Sequence, residues 1–310
     1  MKSSPYLLFS TERYCYLKNK ILSVSDVEEG ITEVKKFPDG ERYMRLLSDV
    51  SERHVLLLGG TVSDADTMEI YDLASGIVKY GAISLTIIIP YFGYSTMERA
   101  VMHGEIVTAK NRATLLSSIP RTSLGNKIVC IDLHTEGIPH YFESNIRPIH
   151  LYSKEVIIKA CYELYGKDFV LASTDSGRAK WVESLANDMQ VNGAFVFKRR
   201  ISEHQTEVTG ISADVKNKNV IIYDDMIRTG SSIINAAEAY SKAGAKRISI
   251  VATHGLFVQD SLSKLASTQL FEKIICTDTH SNVQHIVHPL LEVKTVARLI
   301  KDNIEKHFRY

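Results

Sequence analysis

Few cysteines, no long apolar run and almost no net charge set the first limits on this chain. Its 310 residues include 4 cysteines. They are Cys15, Cys130, Cys161 and Cys276, with no Cys-x-x-Cys pair. Such dispersal argues against a disulfide or zinc framework and predicts reduced core thiols in a cytoplasm. No run approaches the roughly 18 apolar residues of a membrane span. Met1–Ser10 has too short an apolar core for a secretory signal. A net charge of +1 provides no field to recruit nucleic acid or an acidic membrane. No low-complexity segment and no convincing repeat is present.

What remains is an ordinary globular composition, 45% hydrophobic and 24% charged, long enough for two domains. Strand-like runs fall at His54–Leu58, Leu85–Ile89, Lys127–Ile131, Phe169–Ala172, Gly193–Phe197, Val220–Tyr223, Arg247–Ala252 and Lys273–Cys276. Helical patterns lie between several of them, at Met68–Tyr80, Lys154–Tyr165, Ala179–Met189 and Ser232–Ala243. That alternation predicts an α/β protein with mainly parallel sheets flanked by helices. Glu143–Pro148 reads as the boundary, giving domains 1–148 and 149–310. A final helix, about Val293–His307, is compatible with packing on either.

Four strand ends carry polar residues: Asp132-Leu-His134, Ser173-Thr-Asp175, Asp224-Asp225 and Thr253-His254. Ligands of open parallel sheets bind beyond such ends. The stretch 220–235 is the most specific. A buried strand is expected to stop at Asp224 and Asp225, followed by Arg228, Thr229, Gly230, Ser231 and Ser232 at a helix start. Gly230 permits a tight turn, and amides at a helix N-terminus attract phosphate. Two carboxylates beside such amides suit a phosphorylated sugar. The pattern looks like the phosphoribosyl-pyrophosphate loop of the phosphoribosyltransferase fold. A plain polar loop is the bland alternative.

Seven segments then occur in one order: Phe37-Pro-Asp-Gly-Glu41, Pro90-Tyr-Phe-Gly-Tyr94, Thr108-Ala-Lys110, Asp132-Leu-His134, Lys198-Arg-Arg200, Asp224-Asp-Met-Ile227 and Ala252-Thr-His254. Together they closely resemble the ribose-phosphate pyrophosphokinase family, from about Phe37 to Asp278. The resemblance implies two phosphoribosyltransferase-like domains. It also implies a magnesium-dependent reaction. The anomeric hydroxyl of ribose 5-phosphate attacks the β-phosphorus of ATP and AMP leaves, so positioning and charge neutralisation carry the catalysis.

By that resemblance Phe37, Asp39, Glu41, Arg99 and His134 bind nucleotide. His134 and Asp175 stand near Mg²⁺. Lys198 and Arg200 stabilise the transferring group. Asp224 and Asp225 hold ribose hydroxyls, and 228–232 hold the 5-phosphate. Residues 201–210, poor in strand formers, correspond to a mobile flap that would exclude water. Homodimers or hexamers are implied, with the Phe37–Glu41 turn completing a neighbour's ATP site. Each piece keeps a structural alternative. Pro-Asp-Gly makes hairpin turns, Asp175 suits a helix N-cap, His134 suits a buried hydrogen-bonded histidine, and Lys-Arg-Arg suits a solvated turn.

Three departures stand out. Thr96-Met97 replaces an Arg-Gln pair that contacts ATP in the family, with His103 and Lys110 as the nearby cations. Arg228 takes a position usually acidic in bacterial members, and Arg178 takes that of a glycine. Ribose 5-phosphate recognition is therefore expected to be kept more securely than ordinary ATP kinetics. A regulatory homologue without full activity, or a phosphoribosyltransferase, are the rival expectations.

Overall fold

A computed structural model describes residues 5–143, 146–202 and 205–308; the side chains at 176, 198–202, 205–209, 307 and 308 lie outside that description. Two compact units form, Met1–Tyr152 with Ala297–Tyr310, and Ser153–Val296.

In the first unit the strands are β1 (Tyr6–Ser10), β2 (Glu28–Glu29), β3 (Thr32–Lys36), β4 (Arg42–Leu46), β5 (His54–Leu58), β6 (Ser84–Ile89), β7 (Asn126–Ile131) and β8 (Ile146–Leu151). Helices α1 (Cys15–Leu22), α2 (Asp64–Lys79) and α3 (Thr108–Ser117) connect them. Six strands form a parallel sheet in the order β2-β1-β5-β6-β7-β8, while β3 and β4 pair antiparallel on their own. Leu7, Phe9, Val55, Leu57, Leu85, Ile87 and Ile128 alternate along the strands and bury one face against Ile70, Leu73 and Ile77 of α2. A period of two on the strands and near 3.6 on the helix makes this possible. Because β8 completes this sheet, a division at 148/149 would cut a strand. The unit division falls at Tyr152/Ser153 instead.

In the second unit come α4 (Lys154–Tyr165), β9 (Val170–Ser173), α5 (Ala179–Met189), β10 (Asn192–Ser202), β11 (Gln205–Ile211), β12 (Asn219–Ile227), α6 (Ser231–Lys242), β13 (Arg247–Gly255), α7 (Ser261–Ser267), β14 (Ile274–Thr277) and β15 (Leu291–Lys294). Their sheet order is β11-β10-β9-β12-β13-β14-β15, parallel except between β10 and β11. Successive residues of β12 serve opposite faces. Val220 and Ile222 join a core with Ile233, Ala237 and Tyr240 of α6, whereas Ile221 and Tyr223 pack with α4 and α5. Covering on both faces explains why this strand reads as a continuous apolar run.

Three expectations are corrected. Residues 293–294 belong to β15, and the last helix, α8 (Ala297–Phe308), lies in the first unit, where it contacts α1. The stretch 201–210, expected to be strand-poor, contains the end of β10 and most of β11, because each supplies the other with a backbone partner. Cys15 is exposed, whereas the other cysteines are buried and all are free. Burial pushes the Cys161 thiol up to about 12. No helix among the described residues is long and apolar enough to cross a membrane.

Candidate active site

The second unit gathers the sugar-binding candidates. The expected strand end at Tyr223 falls four residues short: β12 continues through Asp224, Asp225, Met226 and Ile227 because β13 stays alongside, pairing Met226 with His254 and Ile227 with Gly255. Asp224 therefore sits on a strand just past the end of β9, whose last partner is Tyr223 opposite Ser173. Asp224 Oδ1 accepts the Asp225 N–H at 2.9 Å, and Thr174 Oγ1 donates to Asp224 Oδ2 at 3.4 Å. Asp225 is buried and receives Arg178 Nη2 at 2.6 Å. Burial first, and the Asp225 charge second, push the Asp224 carboxyl well above the usual carboxylate range, against the pull of Arg178.

Beyond β12, Ile227 and Arg228 carbonyls accept N–H bonds from Leu256, Phe257 and Val258, so the loop is tied to the end of β13. Gly230 has φ of +78°, and a Cβ there would sit 3.0 Å from Leu265 Cγ. Glycine is favoured on both counts. Gly230 is the N-cap of α6 with no side-chain cap, leaving the first-turn amides at Ser231 and Ser232 to other acceptors. The Thr229 and Ser231 hydroxyls lie 3.4 Å apart at its mouth, and Arg228 is exposed.

Asp175 makes a turn: its Oδ1 accepts the Gly177 N–H at 2.9 Å, and Ser173 Oγ donates to its carbonyl at 2.6 Å. One carboxylate oxygen is thus used locally. The backbone puts Lys198 opposite Val208 and Arg200 opposite Thr206, and their side chains lie outside the described residues.

In the first unit Phe37–Glu41 links β3 to β4, with Lys36 opposite Arg42. The Gly40 N–H reaches the Phe37 carbonyl at 2.9 Å, and Asp39 Oδ1 accepts the Glu41 N–H at 3.0 Å. The hairpin reading is thus correct as structure, yet the turn leaves Phe37 52% exposed, unlike a core aromatic. Tyr43 meets Phe37 edge-on with ring centroids 6.3 Å apart.

After β6, Tyr91 and Phe92 are buried, and Gly93 stands where a Cβ would be 2.0 Å from the Thr61 carbonyl oxygen. Tyr94 adopts φ of +61°. Its hydroxyl donates to Asp64 Oδ1 at 3.0 Å, and the Arg112 guanidinium lies 4.9 Å above its ring while bonding the same oxygen at 2.7 Å. Arg112 is thus a cation at this turn that motif reading missed. Arg99 is largely exposed, with Glu98 3.5 Å away.

His134 is half-buried after a turn in which Asp132 has φ of +39°. The Leu133 N–H donates to His150 Nε2 at 2.9 Å. Burial keeps the His150 imidazole below its ordinary range, although Asp132 and Glu136 pull the other way. Tyr152 stacks on His150 at 4.1 Å and donates to Glu136 Oε1 at 3.1 Å. His150 and Tyr152 lie on and after β8, and no local pattern pointed to them. Arg178 was visible only as a departure, its partner being a different strand.

Parallel sheets that collect carboxylates and a glycine-started helix at their carboxyl ends define a phosphoribosyltransferase-like α/β protein. Known proteins narrow this. The N-terminal domain of ribose phosphate pyrophosphokinase matches residues 6–119, and the phosphoribosyl synthetase-associated domain matches 172–309. A ribose-phosphate pyrophosphokinase of Prochlorococcus marinus is 31% identical over 93% of this chain and 86% of its own length. One from Thermotoga maritima is 29% identical over 98% and 96%. The crystal structure of phosphoribosylpyrophosphate synthetase from Mycobacterium smegmatis superposes with a TM-score of 0.85 at 27% identity, covering 98% of each chain. The chain belongs to the ribose-phosphate pyrophosphokinase family.

Proposed function

We propose that this protein transfers the pyrophosphoryl group of ATP to the anomeric hydroxyl of ribose 5-phosphate, releasing AMP and phosphoribosyl pyrophosphate. The observation that carries the reading is the Asp224-Asp225 pair near the end of β12, joined by a short loop to the start of α6, which has no side-chain cap. Carboxylates accept sugar hydroxyls, and first-turn amides take the dianionic 5-phosphate. Family membership selects the reaction. In it the anomeric oxygen bonds to the β-phosphorus, the bond from that phosphorus to the α-phosphate oxygen breaks, and the hydroxyl proton is lost to solvent.

Phe37 offers a stacking face for the base, with Asp39 and Glu41 as acceptors beside it. Arg99 and His134 face nucleotide phosphates in this reading. Lys198 and Arg200 stabilise charge on the transferring group. Mg²⁺ would suit this site, because it needs only one or two carboxylates and keeps its waters. Asp175 has a carboxylate oxygen for it, and His134, a nitrogen donor, suits phosphate better than this hard cation. When bound, the ion neutralises phosphate charge. At least a dimer is proposed, since exposed Phe37 has base-stacking surface to spare for a neighbouring site, and sedimentation reads this directly. Free buried thiols suit a reducing cytoplasm.

AMP release from ATP and Mg²⁺ with and without ribose 5-phosphate tests the proposal. Strictly ribose-dependent AMP supports it. No AMP with any nucleoside triphosphate would favour a regulatory homologue, the reading favoured by Thr96-Met97 in place of the ATP-contacting Arg-Gln.

A further inference from the structure

One turn, between β9 and α5, reaches both carboxylates of the acidic pair. Its first residue, Thr174, puts a hydroxyl 3.4 Å from Asp224 Oδ2. Its last, Arg178, puts a guanidinium nitrogen 2.6 Å from Asp225 Oδ2. The Asp225 side chain is only 5% exposed and that of Arg178 21%. A carboxylate this buried requires a charged or hydrogen-bonding partner. Arg178 itself has a negative φ, −97° with ψ 0°, so the position makes no demand for glycine.

We propose that Arg178 is a positioning residue for ribose 5-phosphate, clamping Asp225 from the α5 side so that Asp224, oriented by the Asp225 N–H and by Thr174, presents its carboxylate to the sugar. The planar fork holds Asp225 Oδ2 in one direction, which an ammonium does less well. With the clamp gone, the buried Asp225 carboxylate loses its charged partner, Asp225 rotates, and the ordered pair that the sugar meets is lost. The effect falls on sugar binding and much less on the chemical step. This inference rests on the reading of Asp224 and Asp225 as the ribose site.

The test is steady-state kinetics of Arg178→Met, Arg178→Lys and Asp225→Asn, with ribose 5-phosphate varied at saturating ATP and folding checked by thermal melts. Arg178→Met keeps the apolar stem and drops the charge. It is expected to raise KM for ribose 5-phosphate about tenfold or more with kcat within about threefold, as loss of ground-state binding does. Arg178→Lys, which keeps the charge and loses the fork, should recover only part of that loss, and added guanidinium ion at sub-denaturing concentration should lower the KM of Arg178→Met. A KM within about twofold of wild type for Arg178→Met, while Asp225→Asn raises it, would overturn the clamp and leave the ribose site standing. A lower KM would overturn it as well, showing that Arg178 competes with sugar. An unchanged KM for Asp225→Asn would instead remove the ribose-site reading. If Arg178→Met fails to fold, Arg178→Lys decides: a KM equal to wild type with no guanidinium response refutes the need for the fork, and a raised KM at unchanged kcat supports it.

Discussion

Replacing Gly230 by Ala perturbs the phosphate loop at a place where the structure sets the magnitude. Gly230 holds φ of +78°, where an L side chain costs about 1–2 kcal/mol. The added methyl would meet Leu265 Cγ at 3.0 Å, Cδ2 at 3.2 Å and Cδ1 at 3.3 Å. Leu265 is fully buried, so it yields only against the core, for about another 1 kcal/mol. A stiffer unfolded chain returns about 0.4–1 kcal/mol. The net is a loss of about 1–2 kcal/mol. For a unit of this size that lowers the melting temperature by about 2–8 °C. Because the Gly230 carbonyl accepts the Ile234 N–H at 2.9 Å, relaxing the strain also tilts the first turn of α6. KM for ribose 5-phosphate is then expected to rise about tenfold, read by AMP release alongside a calorimetric melt. A Gly230→Ala protein with an equal or higher melting temperature would refute the strain reasoning. Equal KM despite a lowered melt would refute the link to phosphate.

Gly93→Ala drives a methyl into the Thr61 carbonyl, 2.0 Å away, and should cost about 3 kcal/mol or more by urea unfolding. Phe37→Ala removes a half-exposed ring; stability should move by less than about 0.5 kcal/mol while KM for ATP rises about tenfold. Lys198→Ala should cut turnover about a hundredfold, and near-normal turnover would remove its proposed role. Acid should weaken the first unit through His150. Its folded value lies below the ordinary 6.5, so the folded chain binds fewer protons than the unfolded one, and stability present above 6.5 is lost as pH falls through the folded value. The slope is at most about 1.4 kcal/mol per pH unit for one proton. His54 shifts the same way, so urea midpoints of wild type and His150→Gln, compared from neutral to acid pH, isolate the His150 share.

Much of the scaffold was legible in the sequence because buried strands write themselves as apolar runs and one-sided helices as a period near 3.6. His54–Leu58, Lys154–Tyr165 and Ala179–Met189 occur where periodicity placed them. Elements that depend on a partner were not legible. β8 sits at a sheet edge with mixed polarity, and β11 needs β10 to give it a ladder. The same division runs through the site. Local chemistry, such as Asp-Asp before Thr-Gly or Pro-Asp-Gly at a hairpin, is carried by neighbours in the chain, because turns and caps are set within a few residues. The sequence alone therefore determined the α/β alternation, the family and the candidate residues. Tertiary structure alone decided that Arg178 meets Asp225, that His150 holds the Leu133 amide before His134, and that Arg112 lies over Tyr94. Those contacts join residues far apart in the chain, and their existence depends on sheet order and register, which no local pattern of side chains encodes.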